Sequence, residues 1–188
     1  MSRYFPHAAY AENQPLARTI LTVHVLSRGY TAGAVAGLGV FAVGGVYNQL
    51  RGAKASAPAP LTTTLRSARL LRSTGTASAV GLGLIGIALV GMMHGRDDIE
   101  WRDRAWRLMA NQGQLETDDW TYGGAVAGLV AVAARPQMKA VGGWRAVAGA
   151  AGLGSVAGTV GYLAWRHGVH GGKYAEYAGV DKPALSGL

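Results

Sequence analysis

Long runs without any Asp, Glu, Lys or Arg alternate with short charged segments along this chain. The uncharged runs cover residues 29–50, 73–95, 120–134 and 146–165. A helix needs about 20 mainly apolar residues to cross the hydrocarbon core of a bilayer, and three of the runs are long enough. The third run spans only if Asp119 and Arg135 reach the two interfaces, and it is otherwise a re-entrant or buried segment. The pattern predicts an all-α integral membrane bundle of four transmembrane helices.

We therefore expect a single membrane domain over residues 1–188, with an N-terminal extension at residues 1–18. The four spans are predicted at about residues 28–50, 73–95, 120–135 and 144–166. A short loop helix is expected at about residues 97–110, and residues 167–188 form a C-terminal tail.

The charged segments between the runs predict an orientation in the membrane. Segments 51–72 and 135–145 contain basic residues and no acid, whereas segment 96–119 holds seven acids and four arginines. The positive-inside rule places the two basic segments on the cytoplasmic or matrix side, with both termini and the acidic segment opposite. We expect lipid head groups or partners to contact the basic residues Arg51, Lys54, Arg66, Arg69, Arg72, Arg135, Lys139 and Arg145.

Composition explains how such helices would pack. The chain has 29 glycines in 188 residues, and only 15% of its residues are charged. Small residues allow helix backbones to approach closely in lipid, so we expect packing faces at Gly29, Gly33, Gly37, Gly83, Gly124, Gly128, Gly154 and Gly158. The hexapeptide Gly-Ala-Val-Ala-Gly-Leu at 33–38 recurs at 124–129, and Gly-Leu-Gly occurs at 81–83 and 152–154. These repeats indicate two related hairpins, and chance in so Gly- and Ala-rich a chain is the alternative.

The acidic segment carries a helical pattern of its own. Acid-to-base pairs four residues apart begin at Asp98, Glu100 and Asp103, in the orientation that stabilises a helix. The pattern predicts a short amphipathic helix that lies on the membrane or against a partner, and its partner-facing residues are Ile99, Trp101, Trp106 and Met109. The alternative is a helix that only caps its own bundle.

No residues with a catalytic, cofactor-binding or metal-binding pattern stand out. Gly81, Gly83 and Gly86 fit the dinucleotide-binding spacing, but they lie inside an uncharged run instead of a strand-to-helix turn. Cysteine is absent, and the histidines at 24, 94, 167 and 170 are interpreted as interfacial or surface residues. The net charge of +8 is spread over the segments between apolar runs, which favours anionic lipid over nucleic acid. An enzyme or a solute carrier is disfavoured because no charge lies deep inside any run.

Several runs of sequence resemble a known family. Residues 98–108, Gly113-Gln114, residues 118–120, residues 143–146 and residues 152–158 are similar to a fungal family of accessory subunits of mitochondrial respiratory complex I. The resemblance implies a non-catalytic, supernumerary subunit of the respiratory chain in the mitochondrial inner membrane, with both termini in the intermembrane space. It implies other complex I subunits as partners and leaves room for a structural phospholipid such as cardiolipin. The architecture is also similar to the Tim17/22/23 family, which would imply a component of an inner-membrane protein translocase.

Overall fold

The computed structural model describes residues 4–51 and 60–172, and the side chains of residues 60–66 lie outside that description. The described chain is helical, with α1 at Ala17–Leu50, α2 at Pro60–Met93, α3 at Asp98–Ala110, α4 at Gln112–Ala133 and α5 at Pro136–Leu163. A 3-10 turn at Ala11–Asn13 precedes α1, and a π-helical turn at Ala164–Val169 follows α5.

Three helices in the described ranges are long and apolar enough to cross a membrane, at Ala17–Leu50, Ser67–Met93 and Pro136–Val169. The third predicted span, at about residues 120–135 in α4, is not among them. Glu116, Asp118 and Asp119 occupy its first turns and leave a short uncharged stretch before the helix ends at Ala133. Over the described residues the protein is thus all-helical, with three helices long and apolar enough to cross a membrane.

The helices begin earlier than the uncharged runs do. Helix α1 begins at Ala17 instead of about residue 28, and α4 begins at Gln112 instead of about residue 120. Charged residues in these first turns do not stop either helix, because they form ion pairs with other elements. Arg28 of α1 pairs with Asp118 of α4, Arg18 with Asp98 of α3, and Glu116 with Arg166 after α5. Helix α2 begins at Pro60, well before the predicted residue 73, and proline suits the first position of a helix.

The four long helices pack side by side in the order α1, α2, α5, α4, with a smaller contact between α1 and α5. Helices α1 and α2 form one antiparallel hairpin, and α4 and α5 form the other. Between the hairpins, α2 and α5 run parallel. Helices α1 and α4 begin at the same end, where His24 and Arg28 contact Asp118, and α2 and α5 are antiparallel to them.

Both hairpins use the same register. In the first, the backbones meet at Gly33–Ala77, Gly37–Ser73 and Gly81–Gly29. In the second, they meet at Gly124–Gly154, Gly128–Ala150 and Gly158–Trp120. A contact residue of α1 and its equivalent in α4 are always 91 residues apart in the sequence. A contact residue of α2 and its equivalent in α5 are always 77 residues apart. The repeated hexapeptide therefore marks equivalent positions, whereas the two Gly-Leu-Gly sequences do not, since the equivalent of Gly81 is Gly158.

Hydroxyl groups add bonds across the helix contacts. Thr31 donates to Ser155 at 3.2 Å, linking α1 to α5, and Ser73 donates to the carbonyl oxygen of Gly37 at 3.0 Å. Thr121 and Thr159 share a hydrogen bond of 2.8 Å between α4 and α5. In an apolar surrounding such bonds each stabilise helix association by about 0.6 kcal/mol.

A glycine breaks α5 near its start. Gly143 has φ 58° and ψ −151°, a conformation that L-residues with a side chain rarely adopt. The segment from Pro136 to the break is a short helical piece, and the long uninterrupted part of α5 begins after it. The predicted fourth span, from about residue 144, therefore begins where the continuous helix does.

Helix α3 lies across one end of the bundle, which we call the α3 end. Ala105 and Met109 are buried against Ala17 and Ile20 of α1. Trp106 Nε1 donates to the carbonyl oxygen of Ala8 at 3.0 Å, so the segment before α1 also holds α3 in place. The helix occupies the predicted position, and these contacts are those of a helix that caps its own bundle.

Of the α3 residues predicted to face a partner, some are covered by the chain itself and others are exposed. Met109 is 4% exposed and belongs to the interior of the chain. Trp106 stacks near His7, and Trp101 lies beneath the guanidinium of Arg18 at 5.7 Å. Ile99 is 46% exposed and points outward. The periodicity of the sequence identified the apolar side of α3 but could not tell whether the chain itself would cover it.

Replacing Ile20 with alanine tests this cap. Ile20 is 1% exposed, and truncating a buried isoleucine destabilises a protein by about 2 to 5 kcal/mol. We expect a clear fall in the thermal unfolding midpoint of the detergent-solubilised protein. The same truncation at the exposed Ile99 should change the free energy of unfolding by about 0.5 kcal/mol or less. Equal effects at the two positions would contradict the described packing of α3.

Candidate functional site

A buried group of charges joins α1 to α4 near the α3 end. The Asp118 carboxylate is 1% exposed. His24 Nδ1 donates to Asp118 Oδ2 at 2.8 Å, and Arg28 Nη2 lies 2.8 Å from Asp118 Oδ1. Arg28 also donates to the side-chain oxygen of Gln114 at 3.0 Å. One carboxylate of α4 thus accepts from two donors on α1.

The sequence places both donors on one side of α1. His24 and Arg28 are four residues apart, so they lie one helical turn from each other on the same face. Asp118 lies in the second turn of α4 and contacts that face of α1. The sequence indicated an interfacial or surface position for His24 and a first span beginning at about residue 28, and neither expectation pointed to Asp118. The four-residue spacing was the available signal, but it does not reveal which distant acid will meet the pair.

A second ion pair ties α4 to the turn that follows α5. Arg166 is 4% exposed and pairs with Glu116, and Gln112 donates to the same carboxylate at 3.3 Å. The guanidinium carbon of Arg166 lies 5.0 Å from the Trp165 ring centroid and 5.8 Å from that of Tyr162, within the range of cation–π attraction. The π-helical turn is therefore fixed to α4 by charge and by aromatic packing.

These charges can hold helix ends together. Removing one partner from a buried pair leaves an uncompensated charge, which costs about 3 to 5 kcal/mol. Within this cluster His24 and Asp118 pair with each other, and Asp118 also pairs with Arg28. Across residues 4–51 and 60–172, no three His, Cys, Asp or Glu side chains are grouped so as to hold a metal ion.

Seven of the eight predicted packing glycines lie at contacts between helices. A methyl group added at Gly29 would lie 2.6 Å from the Ile85 side chain, and one added at Gly37 would lie 2.6 Å from the Thr74 backbone. Backbone carbonyl groups block the same space at Gly33, Gly124, Gly128, Gly154 and Gly158. Gly83 has nothing within 4 Å and faces outward, whereas Gly81, two residues earlier, is at the contact.

The predicted basic residues that the structure describes lie in the half of the bundle opposite α3, which we call the basic end. Lys54 and the side chain of Arg66 lie outside the described residues. The remaining six are all exposed, at Arg51, Arg69, Arg72, Arg135, Lys139 and Arg145. Arg51 rests on the Tyr47 ring and Arg145 on the Trp144 ring, at 4.7 and 5.7 Å to the centroids.

Each hairpin carries an open groove on its outer side, along the seam between its two helices. The α1–α2 groove has a volume of about 740 Å³ and the α4–α5 groove about 830 Å³. The two grooves occupy equivalent positions, because four residues that line the first have their counterparts in the lining of the second. The residues of the first are Ala32, Gly33, Ala36 and Gly81, and their counterparts are Gly123, Gly124, Ala127 and Gly158. The first groove includes Arg72 and Arg145, whereas the second includes Asp119 and Tyr122 near the α3 end.

Comparison with known proteins adds no relative to this description. No family model, curated protein or solved structure matches the chain significantly.

Proposed function

We propose that the protein is a non-catalytic accessory subunit of the membrane arm of mitochondrial respiratory complex I, with a structural and assembly role. The proposal is supported by the buried charges of the described bundle, which are paired with one another. Asp118, Glu116 and Arg166 each form ion pairs that fasten one helix end to another. The same chain bears the sequence runs that resemble complex I accessory subunits.

The outer surface of the helices supports a role within a larger membrane assembly. Large apolar side chains are exposed along all four long helices, at Val35, Val40, Val43, Val46, Val80, Leu84, Ile87, Val90, Val126, Val130, Val160 and Leu163. Continuous apolar surface of this kind is covered by lipid or by protein partners and not by water. We propose that core subunits of the membrane arm cover part of it and that lipid covers the rest.

The proposal includes four transmembrane helices, with α4 as the third. Helix α4 lies antiparallel to α5 in the same register that relates α1 to α2. A helix that follows a spanning partner from one end of the bundle to the other crosses the same layer. Its uncharged stretch is short for this task, and Asp119 and Arg135 would reach out to the two interfaces.

The proposed orientation follows from the two ends of the bundle. The basic end would face the mitochondrial matrix, and the α3 end, with both termini, would face the intermembrane space. Ile99 and the exposed edges of Trp101 and Trp106 would then be available to partners on the intermembrane-space side. The basic residues would meet matrix-side subunits or anionic head groups such as those of cardiolipin.

Native fractionation tests the assembly. Mitochondria of the source organism are solubilised in mild detergent, the complexes are separated by native electrophoresis, and each band is quantified by mass spectrometry. We expect the chain at one copy per complex I, and its deletion should reduce the amount of assembled membrane arm. A chain found only as a free species, or a deletion that leaves complex I fully assembled and normally stable, would overturn the proposal.

A component of a Tim17-like inner-membrane protein translocase is the second candidate. The small-residue seams, the open grooves on both hairpins and the basic end favour it. This alternative predicts crosslinks between the chain and a precursor protein arrested during import. It also predicts that the chain migrates with the import machinery in the same native gel.

A further inference from the structure

We propose that the α1–α2 groove is a binding site for one anionic phospholipid, whose phosphate is held by Arg72 and Arg145 and whose acyl chains lie along the groove. The proposal requires the chain to lie in a membrane but does not require the assembly proposed above. It concerns one defined groove, whereas the general attraction of basic residues to anionic lipid concerns the whole basic end.

The lining of the groove suits an acyl chain. It consists of small and branched apolar residues of both helices, including Ala36, Val40, Val80 and Leu84, with no carboxylate among them. The seam glycines keep the floor of the groove low, because a larger residue at Gly33 or Gly37 would meet the backbone of α2. Hydrocarbon chains can therefore lie against the helix backbones along the seam.

The two arginines suit a phosphate. Arg72 extends from α2, and α5 brings Arg145 beside it because Gly75 allows the backbone of α5 to approach closely at Arg145 itself. Both side chains are exposed, and neither forms an ion pair with a carboxylate within the described ranges. Two guanidinium groups that line one groove favour a phosphate, since arginine presents paired N–H donors in a fixed plane.

Arg72 and Arg145 lie some distance from the end of α1. Arg72 adjoins Ser73, which contacts Gly37, and α1 continues from there for 13 more residues to Leu50. At 1.5 Å per residue this extension is about 20 Å long. The arginines thus lie beside the apolar helix surface and not at its tip. An unpaired charge in such a place is costly, and an anionic phosphate compensates it.

The second groove provides a built-in comparison. The positions equivalent to Arg72 and Arg145 are Gly149 and Ala68, so the α4–α5 groove lacks both cations. Its charged lining residue is the acidic Asp119. The two grooves share their small-residue seam but not their charges, and only the first combines an apolar trough with a phosphate site.

Native mass spectrometry of the purified full-length protein tests the site. The protein is titrated in detergent with phosphatidylglycerol, and separately with phosphatidylcholine as the neutral control. We expect one phosphatidylglycerol to bind preferentially. The double variant Arg72→Gln, Arg145→Gln should weaken that binding about tenfold or more, because each basic residue contributes about 1 kcal/mol to the attraction. The matched double variant Arg135→Gln, Lys139→Gln removes the same charge from the same end and should leave binding nearly unchanged.

A second pair of variants tests the groove itself without changing any charge. Ala36→Phe places a ring in the α1–α2 groove, and Ala127→Phe places the same ring at the equivalent position of the other groove. Only the former should displace the lipid. Helical circular dichroism and the thermal midpoint report whether each variant is folded. Equal binding of the two lipids, or equal losses in both members of either variant pair, would overturn the proposal.

Discussion

Replacing Asp118 with alanine should lower the free energy of unfolding by about 3 to 5 kcal/mol, since His24 and Arg28 would lose the buried carboxylate that both contact. The expected result is a large fall in the thermal midpoint of the detergent-solubilised protein. The control is Asp103, which forms an exposed ion pair with Arg107 four residues further along α3. Asp103→Ala should cost about 0.5 kcal/mol or less.

A further variant separates the role of the charge from the role of packing. Replacing all three charged residues together, as in His24→Leu, Arg28→Met and Asp118→Leu, leaves no unpaired charge. It should destabilise the protein less than Asp118→Ala alone, because buried ion pairs exchanged for apolar residues of similar volume are often neutral. If the single and triple variants were equally unstable, the loss would come from packing. If Asp118→Ala were as stable as Asp103→Ala, the buried cluster itself would be wrong.

Replacing Gly124 with leucine should prevent the second hairpin from closing. The first side-chain carbon would meet the carbonyl oxygen of Gly154, and backbone cannot move aside as a flexible side chain can. We expect a loss of about 3 kcal/mol or more, the upper range for overpacked positions. Loss of the cooperative thermal transition, with helical circular dichroism retained, would be the corresponding observation, because each helix forms without its partner in detergent.

The same change at Gly83 is the matched control. Gly83 lies inside a helix with nothing within 4 Å, so leucine there meets no neighbour and gains about 0.5 to 1 kcal/mol of helix propensity. Gly33→Leu should behave like Gly124→Leu, since the two positions are equivalent. A destabilising effect at Gly83 as large as that at Gly124 would show that the helices meet through a different face.

The contrast between Gly83 and Gly81 shows what the sequence could and could not predict about packing. Uncharged runs predicted where the long helices lie, because the absence of charge over about 20 residues is a strong constraint. In a chain this rich in glycine, however, more than one stripe of small residues runs along each helix. The stripe used depends on the register between two helices, which a single helix does not encode.

The buried charges show a second limit. The sequence contained His24, Arg28 and Asp118, but Asp118 lies 94 residues from His24 and belongs to an acidic segment with seven carboxylates. Only the packing of α4 beside α1 selects one of them. The same packing explains why α1 and α4 extend beyond their uncharged runs, since charges that satisfy one another no longer mark a helix end. For α3, periodicity gave the position of the helix, whereas the question of what covers its apolar side was settled by Ala17 and Ile20.

The shared register of the hairpins has a consequence for how the chain acquires its direction. The halves are related by a rotation about an axis along the helices, since α2 and α5 run parallel, and not by an inversion. The α1–α2 and α4–α5 connections therefore lie at the same end, and basic residues flank both, Arg51 and Arg69 in the first hairpin and Arg135 and Lys139 in the second. By the positive-inside rule, each hairpin would favour the same orientation of the bundle in a membrane, whereas the halves of an inverted repeat would oppose each other.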